Sequence, residues 1–175
     1  MVASCTSCTP GHEARWFNSR NSHPLYFLSA RNLALEVGGG IFARTGTTIP
    51  ATSLIQNSIV WQNYAPAFPD LAGRQVVSFS NTGAAVWGGV GNMSTDPLFL
   101  DPSAADFHLR GHSPCIDAGS NDLVETDLAD LDGDGVRFEV LPMDADGSRR
   151  FMDDHQVVDT GIGVGPIVDL GAYER

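Results

Sequence analysis

The chain has 175 residues, 42% of them apolar, and a formal charge of −11 with a pI near 4.5. That length is one domain, or a domain plus a tail, with enough apolar side chains for a core. Every basic residue is Arg and no basic patch forms, which argues against nucleic-acid binding; no run of 18 apolar residues is present to cross a bilayer.

Residues 1–30 show no period. Pro10, Gly11 and Pro24 interrupt any pattern, although Trp16, Phe17, Tyr26 and Phe27 give the stretch something to pack. It reads as an irregular N-terminal segment. It lacks the basic start and apolar stretch of a signal peptide, so export would require a signal upstream. Cys5-x-x-Cys8 is half of a zinc set, and no second Cys pair follows to complete a tetrahedron. The pair is otherwise oxidised to itself or idle. Cys115, inside Pro-Cys-Ile, reads as a small buried hydrophobe.

From about residue 31 short β-favouring runs alternate with Gly, Asn, Ser and Thr. They are Leu33–Val37, Gly40–Ala43, Ser53–Ile55, Ser58–Trp61, Gln75–Phe79 and Ala85–Trp87. None has the length or the 3.6-residue period of a helix. Ile41, Ile59 and Val77 recur every 18 residues. A repeat near twenty residues built on short strands predicts a β-solenoid, in which stacked coils pair their backbones and align equivalent residues. The spacing therefore predicts one inward ladder of Ile41, Ile59 and Val77 at about 4.8 Å per coil. A β-sandwich with irregular strands would give similar runs. Asn57 and Asn63 flank the Ile59 run and suit left-handed corners. Gly38-Gly39-Gly40 lacks the Lys-Ser/Thr of a phosphate loop and reads as a tight corner where a side chain would clash.

Beyond residue 92 the repeat dissolves. Asp96–Pro102 is too rich in Pro for a central strand; Phe107–Leu109 and Cys115–Ala118 read as short strands or crossings, and Ile167–Glu174 as a short β-like end. From Asp117 to Asp159 eleven Asp and two Glu face Arg137, Arg149 and Arg150, so this stretch carries −10 of the chain's −11. Asp130-x-Asp132-x-Asp134-Gly135 matches the first half of an EF-hand loop. The twelfth position is Leu141 rather than the bidentate Glu, and no helices flank it, so it is not an EF-hand. Asp130, Asp132 and Asp134 either hold a structural calcium ion or form a solvated loop of Asp-Gly turns. Asp144 and Asp146 read as a turn closed by Arg149 or Arg150.

Catalytic constellations are sparse. Arg31, Arg44 and Arg74 are the Arg residues near the coils, and Asp70 is the lone Asp there. Asp117, His112 and Ser113 lie too close in sequence to converge as a triad, and no nucleophile elbow is present. Trp61 and Trp87 either pack within the coils or stack on sugar rings from a solenoid face.

Four ordered segments, Asn92–Pro102, Asp106–Gly119, Asp144–Phe151 and Val168–Glu174, resemble the C-terminal signature of bacterial choice-of-anchor Q surface proteins. Gly38–Ile41 and Asn57–Asn63 resemble the last regular coils before it. The resemblance covers about residues 36–175. It implies a right-handed parallel β-helix with room for three or four coils, secretion, and display at a cell surface through an anchor after the signature. The fold expected is therefore all-β: an irregular segment (1–30), parallel β-helix coils (31–110) and an acidic C-terminal cap (111–175) that covers the open end. The function expected is structural or adhesive and non-catalytic, with surface polysaccharide or another surface protein as partner. The alternative is a carbohydrate-binding or pectate-lyase-like β-helix protein.

Overall fold

The computed structural model describes residues 28–35, 39–43, 53–83, 88–128, 130 and 132–175. They hold only short strands and two 3-10 turns, with no helix of seven or more residues. The first seven strands are β1 (Leu28–Ala30), β2 (Ile41–Ala43), β3 (Ser53–Gln56), β4 (Ile59–Trp61), β5 (Leu71–Gly73), β6 (Gln75–Ser78) and β7 (Asn81–Thr82).

These strands pair in cyclic order and always in parallel. β4 lies on β1, β5 on β2, β6 on β3 and β7 on β4, and Met93 then bridges to Asn81, also in parallel. The registers are Leu28 with Ile59, Ile41 with Leu71, Ile55 with Val77, and Ile59 with Asn81. The predicted single ladder of Ile41, Ile59 and Val77 is thus not formed; each stands in a different stack. The 18-residue spacing compares strands from different faces of the coil, because successive coils have unequal lengths. Residues 44–52 separate β2 from β3, whereas Arg74 alone separates β5 from β6.

The β1–β4–β7 stack is covered on both sides. Successive side chains of a strand point to opposite faces. Val60 joins Ile55, Leu71 and Val77, with Ile41 against them, in a cluster supplied by all three stacks. Ile59, one residue earlier, joins Phe79, Phe99, Leu109, Cys115, Ile116 and Leu170 in a second cluster built with the later part of the chain. A strand buried on both faces has no polar alternation to show, which is why Ser58-Ile59-Val60-Trp61 reads as a continuous run.

Polar side chains join the coils at their corners. Asn63 Oδ1 accepts from the Asn32 amide at 3.0 Å and from Asn32 Nδ2 at 2.9 Å, while its own Nδ2 donates to Ser29 O and Asp70 Oδ1. Ser58 N donates to Ser80 Oγ, and Ser80 N to Asn92 Oδ1. Asn57 takes the left-handed conformation expected of it, at φ 44°; at the other corner Gln62, at φ 53°, takes it in place of Asn63. Gly39 and Gly40 have no room for a side chain, since a Cβ would run into Tyr64 O and Asp70 O respectively; Gly38 lies outside the described residues.

Parallel pairing of the coils extends from Leu28 to Met93, and one further parallel bridge joins Ser120 to Ile162. Residues 99–109, placed within the 31–110 coil region although Phe107–Leu109 read as a short strand or crossing, form an antiparallel hairpin of β8 (Phe99–Asp101) and β9 (Asp106–Leu109) and not a further parallel coil. Pro102–Ala104 turns between them, with the Asp101 carboxylate accepting from the Ser103 and Ala104 amides. β10 (Thr126–Asp127) and β11 (Glu139–Val140) make a second antiparallel pair. The final segment binds the flank of the coils rather than an end. Gly171 N donates to Asn57 O, Leu170 N to Cys115 O, and Gly119 N to Val168 O.

Candidate functional site

The acidic loop folds on local backbone bonds. Asp130 (φ 56°), Gly133 (φ 73°) and Gly135 (φ 85°) all take the left-handed conformation, which lets the turn close in few residues. The Asp132 carboxylate accepts from the Asp134 amide, Asp134 from Val136, and Asp130 from Gly135. The first two are Asx turns and the third closes the loop across five residues; each occupies one oxygen of its carboxylate. Carboxylate oxygens of Asp130, Asp132 and Asp134 come within 4.8 Å of one another. That spread fits ligands about 2.3–2.6 Å from one calcium ion.

Two further carboxylates reach the same place. Asp127, buried, and Glu139, half-buried, face each other across the β10–β11 ladder, and both come within 4.8 Å of Asp132. Burial, and then the charges of Asp134, Asp132, Asp127 and Asp130, hold the Glu139 carboxyl above its usual range. Sequence spacing could not find them, because the hairpin alone brings residues 127 and 139 into register.

Trp61 is half-buried against the cluster of Ile59 and Leu170. Trp87, the other candidate for sugar stacking, lies outside the described residues, as do Cys5, Cys8 and Arg44. Arg74 is exposed at the tight β5–β6 connection, and Arg31 donates to Pro102 O. The Asp117–His112–Ser113 combination does not assemble as a relay: Ser113 Oγ is buried and donates to Pro97 O at 2.7 Å, while His112 is exposed. Cys115 is buried with Asn81 Nδ2 at 3.1 Å from its sulfur, and burial pushes its thiol up to about 12, so it is inert as a nucleophile. A shallow depression too tight to hold a water molecule is lined by Leu28, Ile59, Phe107, Leu109, Leu170 and Tyr173 among others; none of its lining side chains is a carboxylate, imidazole or amine.

His108 sits between two carboxylates. Nδ1 lies 2.6 Å from Asp106 and Nε2 lies 2.6 Å from Asp146, with the Tyr173 ring 4.3 Å away. The bond to Asp146, then that to Asp106, raises the imidazole above its ordinary value. With both nitrogens engaged it is a charged clamp between β9 and the turn at 144–147.

Three of the four segments singled out in the sequence, those around Asp117, Asp144–Arg150 and Asp169–Glu174, meet in one buried polar network. Glu174 N donates to Asp144 Oδ2, and Ala145 N to Ala172 O. Arg150 donates to Gly171 O and Ala172 O and lies 3.5 Å from the Glu174 carboxylate. Asp169 accepts from the amides of Asp117 and Arg175. Burial raises both carboxyls, Asp169 to about 7; Arg150 pulls the other way on each. The network joins residues 117, 144–150 and 169–175 without forming a cleft, so its chemistry is that of a fastening.

No family model matches the chain, and neither does any curated protein or solved structure.

Proposed function

We propose that this chain is the C-terminal portion of a right-handed parallel β-helix of the choice-of-anchor Q type, with a structural or adhesive role at a bacterial cell surface. The observation that carries this is the cyclic parallel order, in which each of β4, β5, β6 and β7 lies on the strand three earlier. Stacked coils of this kind offer long, rigid faces suited to display, and they need neither a cleft nor a cofactor to function. Convergence of three of the four signature segments on one network gives a physical reason for their ordered occurrence. Ile116 and Leu170 cover the Ile59 face of β4 and keep it from apolar association with other chains, and the charge of the acidic segment discourages association of copies.

In this reading calcium is a structural ion held by Asp130, Asp132 and Asp134, with Asp127 and Glu139 beside them. Extracellular calcium sites manage with few carboxylates. Partners would be surface polysaccharide or another surface protein, met by the faces of the coils.

The experiment is protease shaving of intact cells of the source bacterium, with the protein followed by antibody. Loss of the protein while a cytoplasmic marker survives is the expected result; full protection in intact cells overturns the surface role. Purified chain is assayed in parallel on pectin and alginate. Release of unsaturated sugars, abolished by Arg74→Ala, would replace the structural role with a lyase.

A further inference from the structure

Asp117 is a buried carboxylate without a side-chain partner. Its side chain is fully enclosed, and neither of its oxygens receives a hydrogen bond of ordinary geometry; the Asp154 backbone amide exerts only a weak pull on it. The chain has spent Asp117's backbone well: N donates to Asp169 Oδ1, and O accepts from both Thr160 and Gly161. The carboxylate alone is left. Leaving an ionised group buried and unbonded costs several kcal/mol in general, so native proteins pair such groups or give them a cation.

Its neighbours are more carboxylates. Oxygens of Asp117, Asp153 and Asp159 lie within 4.8 Å of one another, and Asp153 and Asp159 are exposed. The local basic side chains do not reach Asp117. His155 Nδ1 lies 2.5 Å from Asp153 at the exposed edge of the cluster, Arg175 binds Asp154, and Arg150 faces Glu174. Nothing positive reaches the Asp117 oxygens. Burial, then the charges of Asp159 and Asp153, push this carboxyl up to about 6, with a lesser opposing pull from the Asp154 amide.

We propose that Asp117, Asp153 and Asp159 bind a hard divalent cation, calcium by ligand type, which fastens the strap at 153–161 to the turn at 115–120. Oxygen-only donors exclude a preference for the softer transition metals. Two exposed members leave room for the water molecules that complete a calcium shell. The ion neutralises the enclosed charge of Asp117 and locks Ile116 against Ile59 through the chain that carries it. This site is separate in sequence and space from the loop at 130–134, and it does not depend on the surface role.

The test uses the full chain carrying Asp132→Asn, which disables the loop cluster. Calcium chloride is titrated into it calorimetrically at neutral pH, and magnesium chloride serves as the comparison. One calcium ion should bind, more tightly than magnesium. Adding Asp159→Asn, a surface change that leaves folding intact, should weaken calcium by about tenfold or more. Adding Asp117→Asn should abolish binding while leaving the metal-free melting temperature equal or higher, because an enclosed charge is removed. The proposal is overturned if the Asp132→Asn chain binds no calcium, or if Asp159→Asn leaves its affinity unchanged.

Discussion

The side chain of Asn57 pairs with the backbone of Ser120 as one strand pairs with another. Nδ2 donates to Ser120 O at 2.8 Å, and Ser120 N donates to Oδ1 at 2.8 Å. Both residues are fully enclosed. A single amide therefore satisfies two buried backbone groups 63 residues away, at the point where the coils meet the final segment. Asn57→Ala should cost about 2–4 kcal/mol, since it strands a buried N–H and C=O and puts Ala into a left-handed conformation. Urea unfolding measures this. A loss below about 0.5 kcal/mol would mean that water or a shift of the chain replaces the amide.

Strands with β-branched residues were legible in the sequence; the coil was not. β2, β3, β4 and β6 fall on runs marked by Ile and Val. β5, Leu71-Ala-Gly73, has no such residue and is strand only because β2 lies beside it. β1 falls in the segment read as irregular, since three residues between Phe27 and Arg31 are too few to show a period. Coil length was hidden by the different connections before β3 and β6. The Asp130–Asp134 cluster was visible because its members are neighbours in sequence. Asp127 with Glu139, Asp117 with Asp153, and His108 with Asp146 were not, because folding alone brings them together.

Arg150 and Glu174 form a pair with both side chains almost wholly enclosed, 3% and 0% exposed. Removing the cation leaves Glu174 in a buried site and takes the donors from Gly171 O and Ala172 O. Arg150→Met should cost about 3 kcal/mol, the lower end for a broken buried pair, because burial already favours the neutral form of Glu174. Arg150→Met with Glu174→Gln should recover part of that loss. Additive losses in the double-mutant cycle would show that the two groups do not act together.

Calcium should raise the melting temperature of the wild-type chain. A ligand that binds only the folded state at about 100 times its dissociation constant gives several degrees in a domain this size. Magnesium should do less, since its small octahedron suits a loop of Asx turns poorly. Asp132→Asn should remove the share of the response due to the 130–134 loop, because Asp132 belongs to both carboxylate groups there. Its melting temperature in chelator should equal or exceed that of wild type. Equal calcium responses in wild type and Asp132→Asn would remove the loop from the list of calcium sites.

His108 gives the chain a pH dependence of definite sign. The groups that face it are Asp146 and Asp106, on opposite ring nitrogens, and the Tyr173 ring. Its pKa in the folded chain is raised from 6.5, by Asp146 first and Asp106 second. The folded state thus binds the proton more tightly than the unfolded state does, and the stabilisation is complete below 6.5. It is lost as pH rises through the higher folded value, when the imidazole becomes neutral between two carboxylates. His108→Gln keeps much of the shape and removes the charge. The melting temperature of wild type should exceed that of His108→Gln near pH 6, and the gap should close as pH rises to about 9. Because the His108 side chain is 39% exposed, solvent screens the pair and the gap should narrow further in high salt. A gap that widens with rising pH would reverse the assignment and make His108 a neutral hydrogen-bonding residue.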